Sequence, residues 1–345
     1  MAENDLQAVI LRSPENRYYF SNFRGTAGYL LITPEETFLY TDFRYLDQAK
    51  TQAPLYKIIH HRVNALEHIC SDLAGLRVSR LGLEMDVTPA ADYLEITGSM
   101  PSVEMLDISG DIFALRMIKD AEEIRKISRG IEICDHAFSH ILNFIHAGIS
   151  EREIGLELEI FMRKEGAEGI KTNHVIASGE RSALPHGQAT DRRVKKGDFV
   201  TMDYGARVDG YYSDFTRTVI IGEPSPQRIE IYRVVQQAQM EALVAIGPGK
   251  VCSEMDEVGR SVIRKAGYGE FFGHSLGHSL GLSIHEKPGM RAGDPNRLQP
   301  GMVMSVEPGI YLPGFGGVRI EDVIVVTEKG CVNFTHSTKE LQVLT

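Results

Sequence analysis

The sequence contains no tryptophan and only four cysteines among its 345 residues. The cysteines lie far apart and form no C-x-x-C pair, which excludes a zinc ribbon and a disulfide framework. Reduced thiols are typical of a cytoplasmic protein, and this is the location that we expect. The first residues carry neither a basic segment nor an apolar run, so the sequence predicts no signal peptide.

A long apolar run and an excess of basic residues are also missing. No stretch approaches the roughly 18 apolar residues that a membrane-spanning helix requires. Lysine and arginine number 37 against 47 aspartates and glutamates, so the formal net charge is −10. A nucleic-acid partner bound mainly through its phosphates is therefore disfavoured. We expect neither a membrane nor a nucleic acid as a partner.

The length and the order of the predicted elements favour two domains, residues 1–112 and 113–345. The first domain alternates short strands and helices and is expected to be a small α/β domain, with strands at 7–11, 29–33, 38–41, 56–60 and 81–84 and helices at 44–51, 64–73 and 89–96. The second is expected to be an α+β domain in which helices pack on a curved antiparallel sheet, with helices at 119–145, 150–165, 228–245 and 253–265.

Two acidic residues lie on opposite arms of a predicted β-hairpin. The arms flank Asp209-Gly210, which is a strong turn signal. If the turn centres on Val208-Asp209, Asp203 faces Asp214 directly. If it centres on Asp209-Gly210, the two aspartates are offset by two residues but stay on one face. In either register two like charges repel each other unless a proton or a cation lies between them.

A second acidic pair repeats this arrangement. Two predicted strands, 302–311 and 318–326, flank a Pro/Gly-rich connection, and Glu307 and Glu321 are symmetric about Gly314. Each glutamate lies inside a strongly apolar run. A glutamate in a buried strand is costly unless a partner compensates its charge, so we expect both to be partnered.

Histidine supplies further candidates. Three of the twelve histidines, His274, His278 and His285, fall within a single Gly-rich segment. Interleaved glycines let the backbone approach a ligand closely, and imidazole is both a metal ligand and the usual general acid or base. His186 lies in another loop, which is marked by Gly and Pro.

Four carboxylates and one imidazole suit a pair of divalent cations. Oxygen-rich ligation with one nitrogen favours manganese, cobalt or iron, with zinc also allowed, and we expect manganese. Two such ions about 3.5–4 Å apart generate hydroxide and stabilise a developing oxyanion. The residues alone therefore predict a dinuclear metallohydrolase with two divalent metal ions per chain.

Short motifs then connect these candidates to a known family. They are Met202-Asp-Tyr-Gly205, Ser213-Asp-Phe-Thr-Arg-Thr218, Gly277-His278, Ile284-His-Glu286, Val306-Glu-Pro-Gly-Ile-Tyr311 and Val318-Arg-Ile-Glu-Asp322. Their residues and order resemble the pita-bread metallopeptidases, most closely the proline-specific Xaa-Pro aminopeptidases and Xaa-Pro dipeptidases. The resemblance covers nearly the whole chain. It implies a C-terminal pita-bread catalytic domain preceded by a creatinase-like N-terminal α/β domain.

The resemblance also implies a metal-ligand set. Asp203 would chelate one ion, and Asp214 and Glu321 would bridge both ions. His278 and Glu307 would complete the second site.

Further residues would contact the substrate or support the ligands. His186 and His285 would bind the scissile carbonyl or the substrate backbone, and His274 would line the proline pocket. Arg319 and Tyr311 would surround the bridging glutamate.

The implied activity is that of an Xaa-Pro aminopeptidase, which hydrolyses the X-Pro bond at the N-terminus of small peptides with proline at the second position. A metal-bridging hydroxide would attack the carbonyl carbon before proline, and Glu307 would shuttle the proton to the leaving nitrogen. Because the X–Pro amide lacks an N–H, a pocket shaped for the ring accepts what general peptidases reject. The family also implies a homodimer.

Other functions stay open. An Xaa-Pro dipeptidase (prolidase) needs a cation for the free carboxylate of its terminal proline, and Arg291 or Arg297 could supply it. A catalytically silent peptide-binding module and a metal-independent creatinase-like hydrolase share the fold, but the intact ligand set disfavours both.

Two features depart from the family pattern. Ser279 stands where the family usually has glycine after the metal-binding histidine, and we expect it to crowd the site. The chain also begins close to its first predicted strand, so we expect a trimmed N-terminal domain.

Overall fold

The computed structural model describes residues 1, 4–62, 64–76, 78–172 and 174–345. These residues form two compact units, 1–115 and 116–345. The division lies three residues beyond the boundary expected from the sequence, because a helix, Ser109–Met117, runs across that position. In the described part of the chain, we find no helix with the length and apolarity needed to cross a membrane.

The N-terminal unit contains one six-stranded mixed sheet, with the strand order β4-β3-β2-β1-β5-β6. Its strands are β1 (Ala8–Leu11), β2 (Tyr29–Ile32), β3 (Thr37–Thr41), β4 (Lys57–His60), β5 (Arg80–Leu83) and β6 (Glu104–Asp107). Its helices are α1 (Pro14–Ser21), α2 (Leu46–Gln52), α3 (Ala65–Ala74), α4 (Ala90–Ser99) and α5 (Ser109–Met117). The predicted elements of this unit are present within three residues of their expected ends, whereas α1, α5 and β6 were not predicted.

Helix α1 was missed because its sequence, Pro14-Glu-Asn-Arg-Tyr-Tyr-Phe-Ser21, lacks a regular apolar stripe. Local chemistry defines its start instead. The hydroxyl of Ser13 accepts a hydrogen bond from the amide of Asn16, and a proline occupies the first helical position. The carboxylate of Glu84, 71 residues away, accepts hydrogen bonds from the amide and the hydroxyl of Ser13, and such a long-range contact cannot be inferred from a local pattern.

Both faces of this sheet are buried. Along β1, Ala8 and Ile10 belong to one apolar core, and Val9 and Leu11 belong to the other. This strict alternation places a hydrophobic layer on each side of the sheet, as strands in α/β proteins require. The α/β prediction for this unit is confirmed.

The C-terminal unit has four long helices: α6 (Ala121–Ile141), α7 (Glu151–Lys164), α8 (Pro226–Ala245) and α9 (Cys252–Lys265). Its strands are β7 (Gly169–Ile170), β8 (Val175–Ser178), β9 (Phe199–Tyr204), β10 (Ala206–Val208), β11 (Tyr211–Tyr212), β12 (Phe215–Ile221), β13 (Gly277–Ser279), β14 (Glu286–Met290), β15 (Val303–Val306), β16 (Gly309–Leu312), β17 (Gly316–Arg319), β18 (Asp322–Thr327), β19 (Gly330–Asn333) and β20 (Val343–Leu344).

Each helix pair covers its own sheet. Apolar side chains of α6 and α7 pack on the sheet β20-β12-β9-β8, and those of α8 and α9 pack on the sheet β14-β13-β15-β18-β19. The strands pair antiparallel except for β12 with β20. This arrangement confirms the α+β architecture expected for the catalytic part.

The first hairpin adopts the second of the two predicted registers. Asp209 and Gly210 both have positive φ, 47° and 82°, as a two-residue type I′ turn requires. Asp203 therefore pairs with Thr216, and Asp214 lies two residues away on the same arm. The aspartates are offset by two residues, as that register predicts.

Candidate metal centre

The acidic candidates lie within or beside interrupted strands. Asp203 is in β9, and Asp214 immediately precedes β12. Glu307 separates β15 from β16, and Glu321 lies in the gap between β17 and β18. The two long strands predicted around the glutamates are therefore each split in two. Pro308 contributes to the first break, because it has no N–H for a ladder hydrogen bond.

Three carboxylates meet in the interior of the unit. Asp203, Asp214 and Glu321 are buried, and each offers an oxygen within 4.8 Å of the others. Thr216 fixes Glu321 in place, because its hydroxyl donates to Glu321 Oε2 at 2.6 Å and its carbonyl accepts from the Glu321 amide at 3.1 Å. Residues from both acidic pairs thus contribute to one cluster.

His278 and Glu307 lie beside this cluster. His278 Nδ1 is 3.1 Å from the carbonyl oxygen of Ser279, so this nitrogen donates to the backbone and Nε2 faces the carboxylates. Nε2 lies 3.3 Å from Glu307 Oε1 and 3.8 Å from Asp214 Oδ2. The structure therefore brings together all five residues that the sequence proposed as metal ligands.

The electrostatics of the cluster favour a bound cation. Burial and the neighbouring Asp214 carboxylate raise the pKa of Glu321 well above its usual value, and burial also raises the pKa of Asp214. Glu321 Oε1 is buried without a hydrogen-bond partner among the described residues. A divalent ion would satisfy this oxygen and offset the repulsion between the carboxylates. The donor set fits divalent metal ions.

A lysine that the sequence analysis overlooked already contacts two of these carboxylates. Lys171 Nζ lies 2.6 Å from Asp203 Oδ1 and 2.7 Å from Asp214 Oδ1. Burial alone would lower the pKa of Lys171, but the two aspartates outweigh burial and raise it. The ammonium group is therefore charged at neutral pH.

Arg319 supports the cluster from another side than expected. Its guanidinium pairs with Asp203 and not with Glu321, to which it is connected only through Thr216. Arg319 also donates to the Tyr311 hydroxyl at 2.7 Å. The resemblance placed Arg319 and Tyr311 around Glu321, whereas the direct contact of the guanidinium is with Asp203 and its link to Glu321 runs through Thr216.

Tyr311 links Arg319 to His274. The hydroxyl lies 2.8 Å from His274 Nε2, and His274 Nδ1 lies 2.8 Å from the carbonyl of Ser275. Because Arg319 donates to the tyrosine oxygen, the hydroxyl proton is directed to Nε2, and the histidine proton lies on Nδ1. Burial lowers the pKa of His274 and raises that of Tyr311 to about 12, so both groups are neutral at pH 7.

A cavity of about 280 Å³ opens onto the cluster. Its lining residues are Lys171, Pro185, His186, Asp203, Asp214, His274, Ser275, His278, His285, Glu307 and Arg319. Burial and the neighbouring His278 lower the pKa of His285 to about 4, so His285 is a neutral imidazole at pH 7. The sequence-predicted histidines His186, His274 and His285 therefore face the same space as the carboxylates.

The two arginines considered for a substrate carboxylate are not among the lining residues. Arg291 is exposed and lies 3.8 Å from Asp294, and Arg297 donates to the carbonyl of Gly249 at 2.8 Å. The loop after His285 thus directs both side chains elsewhere. Lys171 and Arg319 are the lysine and arginine side chains that line this cavity.

Glu151 holds the loop that carries His186. Its fully buried carboxylate accepts hydrogen bonds from the amide and hydroxyl of Ser178 and of Thr190, and it pairs with Arg181. The loop that contains His186 lies between Ser178 and Thr190. Glu151 lies at the start of the helix predicted at 150–165, and nothing in the local sequence shows that its side chain turns inward.

An ion pair on α9 holds the segment that carries His274. Arg260 contacts both oxygens of the buried Asp256, at 2.8 and 2.9 Å. It also donates to the carbonyls of Phe272 and His274, at 2.8 and 2.7 Å. Asp256 accepts from the amide of Leu276 at 2.9 Å. The backbone on both sides of His274 is therefore anchored to the helix.

We expect Arg260→Met to lower the free energy of unfolding by about 2 kcal/mol, since it removes charge-assisted hydrogen bonds and leaves Asp256 with fewer partners. Urea denaturation measures this loss. Arg152→Met is the matched control, because the Arg152–Asp191 pair is exposed and contributes about 0–1 kcal/mol. Equal losses in the two variants would contradict the proposed anchoring.

A buried ion cluster lies behind His285. Glu286 pairs with Arg116 and, at 3.0 Å, with Lys119, and it accepts from the amide of Ser283 at 3.1 Å. Lys119 also donates to the Ser279 hydroxyl at 3.1 Å. The expectation that Ser279 crowds the metal centre is therefore wrong, because the register of β13 shifts between His278 and Ser279 and the hydroxyl of Ser279 faces Lys119.

Comparisons with known proteins agree with this geometry. A model of metallopeptidase family M24 matches residues 125–328, and a model of the creatinase/prolidase N-terminal domain matches residues 1–118. The resemblance and the fold inferred from the motifs are confirmed. The chain is 38% identical to an Xaa-Pro dipeptidase of Pyrococcus furiosus, over 99% of this chain and 97% of that protein.

Solved structures are similar over the same length. The structure of an Xaa-Pro dipeptidase from Bacillus anthracis matches with a TM-score of 0.96 and 43% identity, over 99% of this chain and 96% of that chain. The structure of an X-Pro aminopeptidase from Thermotoga maritima matches with a TM-score of 0.94 and 37% identity, over 99% and 97%. Both specificities therefore occur among the names of similar proteins.

Proposed function

Because this chain belongs to metallopeptidase family M24 and is an Xaa-Pro metallopeptidase, we propose that it acts as an Xaa-Pro dipeptidase. The observation that carries this proposal is a cavity of about 280 Å³ that four of the five metal-ligand candidates line and whose volume suits a dipeptide, while the fifth candidate, Glu321, clusters with Asp203 and Asp214. The names of its relatives support the dipeptidase specificity more strongly than the aminopeptidase specificity that the motifs first suggested. The C-terminal unit is the catalytic part in this proposal.

Two divalent ions are part of the proposal, with manganese as the preferred metal. Asp203, Asp214 and Glu321 would hold one ion, and Glu321, His278 and Glu307 would hold the other, with Asp214 shared between them. Such ions supply Lewis acidity toward a carbonyl and a hydrolytic nucleophile at neutral pH. The oxygen-rich donor set with one imidazole is the reason for preferring manganese.

The residues around the ions position the dipeptide. His285, which is neutral, donates a hydrogen bond to the scissile carbonyl oxygen from a ring N–H, and His186 contacts the substrate backbone from its loop. His278 keeps the pKa of Glu307 low even though burial would raise it, so Glu307 is an ionised proton acceptor. Glu307 would take the proton that the attacking water loses and pass it to the proline nitrogen as the C–N bond breaks. His274 and the Tyr311 hydroxyl beside it border the space for the proline ring.

The second candidate function is the Xaa-Pro aminopeptidase. It is favoured by the positions of Arg291 and Arg297, since neither side chain lines the cavity where a dipeptide carboxylate would bind. A dipeptidase must then bind that carboxylate through another cation of the cavity, and Lys171 is the one that contacts both aspartates. Dimer formation and a cytoplasmic location stay predictions.

One assay separates the two specificities. We expect the Mn²⁺-loaded protein to cleave an X-Pro dipeptide with a kcat/KM at least about tenfold above that for the X-Pro-Y tripeptide with the same first residue, a difference of about 1.4 kcal/mol. The tripeptide moves the free carboxylate away from the proline, so the comparison reports recognition of that group. A preference for the tripeptide would establish the aminopeptidase instead.

A further inference from the structure

Lys171 follows the short strand β7, and its position is fixed by the backbone. The Lys171 amide donates to the carbonyl of Gly205 at 2.8 Å, two residues beyond Asp203. This bond sets the Cα of Lys171 beside the strand that carries Asp203. The side chain is 12% exposed, and its ammonium group contacts both aspartates at 2.6–2.7 Å.

A metal ion and this ammonium group cannot use the same two oxygens. Bonds from Zn²⁺ or Mg²⁺ to carboxylate oxygens are about 2.0–2.2 Å long. An ion bonded to Asp203 Oδ1 and Asp214 Oδ1 would overlap the nitrogen that now lies at hydrogen-bond distance from both atoms. The two cations also repel each other at such a distance. Either the metal ion or the Lys171 ammonium group can therefore occupy this pair of oxygens, but not both at once.

The other half of the centre is free of this conflict. The Lys171 contacts given above involve neither His278 Nε2 nor the Glu307 carboxylate, and these two groups lie 3.3 Å apart. Asp214 Oδ2, which lies 3.8 Å from His278 Nε2, is also outside the Lys171 contact, because that contact uses Asp214 Oδ1. An ion can therefore enter beside His278 while Lys171 keeps its contacts.

We propose that Lys171 is an internal competitor for one of the two metal positions, so that the chain binds its first ion tightly beside His278 and its second ion only by displacing the Lys171 ammonium group. This inference rests on the proposed metallopeptidase function. It adds that the metal content of the centre depends on a side chain that is not itself a ligand.

The competition reduces the apparent affinity for the second ion. If the ammonium group occupies the aspartate pair in more than about nine-tenths of molecules, the apparent Kd rises by about tenfold or more, because the competent fraction is small. Removing the charge at residue 171 eliminates that penalty. The displaced ammonium group is also positioned to enter the cavity that it lines.

The test is metal binding itself. Chelator-treated wild-type protein, Lys171→Met and the control Lys265→Met are titrated with Mn²⁺ by calorimetry, and electron paramagnetic resonance distinguishes isolated from paired Mn²⁺. Lys265 is exposed near the end of α9. We expect one tight and one weak site in the wild type and in the control. In Lys171→Met the second Kd falls by about tenfold, and paired Mn²⁺ forms at two equivalents.

Lys171→Gln is a second variant for the case in which Lys171→Met does not fold. The glutamine amide can still donate a hydrogen bond to the aspartates, but it carries no charge. Circular dichroism and thermal unfolding show which variant is folded, and the comparison uses that variant. Equal affinity for the second ion in the wild type and the Lys171 variants overturns the competition while leaving the metallopeptidase proposal intact. Failure of every protein to bind Mn²⁺ or another divalent ion overturns both.

Discussion

Asp214→Asn is expected to reduce kcat/KM for an X-Pro dipeptide by about a hundredfold to a thousandfold, the scale of loss when one preorganised electrostatic group is removed from an active site. Asp214 is 1% exposed and offers oxygens toward Asp203, Glu321 and His278. Asparagine has nearly the same shape, so the hairpin around it is preserved. Its neutral amide, however, places an NH₂ group where the second carboxylate oxygen would bind a cation.

Metal content must fall together with activity. We expect Asp214→Asn to bind fewer than two Mn²⁺ per chain under conditions in which the wild-type protein binds two, measured by elemental analysis after gel filtration. Asp191→Asn is the control, because Asp191 is exposed and pairs with Arg152 on the surface. Undiminished turnover in Asp214→Asn would refute the metal assignment, and a matching loss in Asp191→Asn would indicate a nonspecific effect of the substitution.

The sequence predicted the candidate site well where local patterns define geometry. Asp209-Gly210 determined a two-residue turn, and the turn determined the register that places Asp203 and Asp214 on one face. Symmetry about Gly314 likewise holds in the structure, where Gly309 pairs with Arg319 and Val303 with Val325. A side-chain period of two residues makes such predictions possible once the turn is known.

The supporting contacts were beyond the reach of these patterns. Glu151 contacts Thr190 across 39 residues, and Lys171 contacts Asp214 across 43. A lysine after a short strand, or a glutamate at a helix start, is usually solvated. Only the packing of distant segments shows that these side chains turn inward, so sequence reasoning found the acidic residues and missed the groups that balance their charge.

The same reason explains two differences between expectation and structure. Arg319 was placed around Glu321 by resemblance, but its guanidinium pairs directly with Asp203 and reaches Glu321 only through Thr216. Ser279 was expected at the metal centre because it follows His278 in sequence, but the register of β13 shifts between these two residues. Lys119 donates to the hydroxyl of Ser279 and also pairs with Glu286. Ser279, which stands where the family usually has glycine, therefore contacts the ion cluster behind His285.

Replacing Glu286 tests that cluster, and Glu286→Ala is expected to lower the free energy of unfolding by about 3–5 kcal/mol, because it leaves buried charge uncompensated. Lys119 and Glu286 are 1% and 2% exposed, and Arg116 is also buried. Burial lowers the pKa of Lys119 in spite of its partner, so this ammonium group depends on Glu286 to stay charged. Guanidinium chloride denaturation at pH 7 measures the loss.

The effect should extend to catalysis through His285. Glu286 accepts from the amide of Ser283, and Gly281, where a Cβ would lie 3.0 Å from a Glu286 oxygen, donates its amide proton to the carbonyl of Ser283. Loss of the carboxylate frees this turn, so we expect KM for the dipeptide to rise while the metal content stays unchanged. An unchanged KM would show that His285 is positioned independently of the cluster.

The pH dependence of the free energy of unfolding distinguishes the contribution of the Glu286 charge from that of its packing. Burial would raise the pKa of Glu286, but Lys119 and Arg116 outweigh burial and lower it. A lowered folded-state pKa stabilises the fold above the unfolded value of about 4.3, and this stability is lost as pH falls through the folded-state pKa. The stability difference between wild type and Glu286→Gln is therefore expected to be largest near neutral pH and to shrink below about pH 4, where the carboxyl of the unfolded chain is protonated before that of the folded protein. A difference that is independent of pH between 3 and 7 would assign the effect to shape, and not to the charge that Glu286 supplies to Arg116 and Lys119.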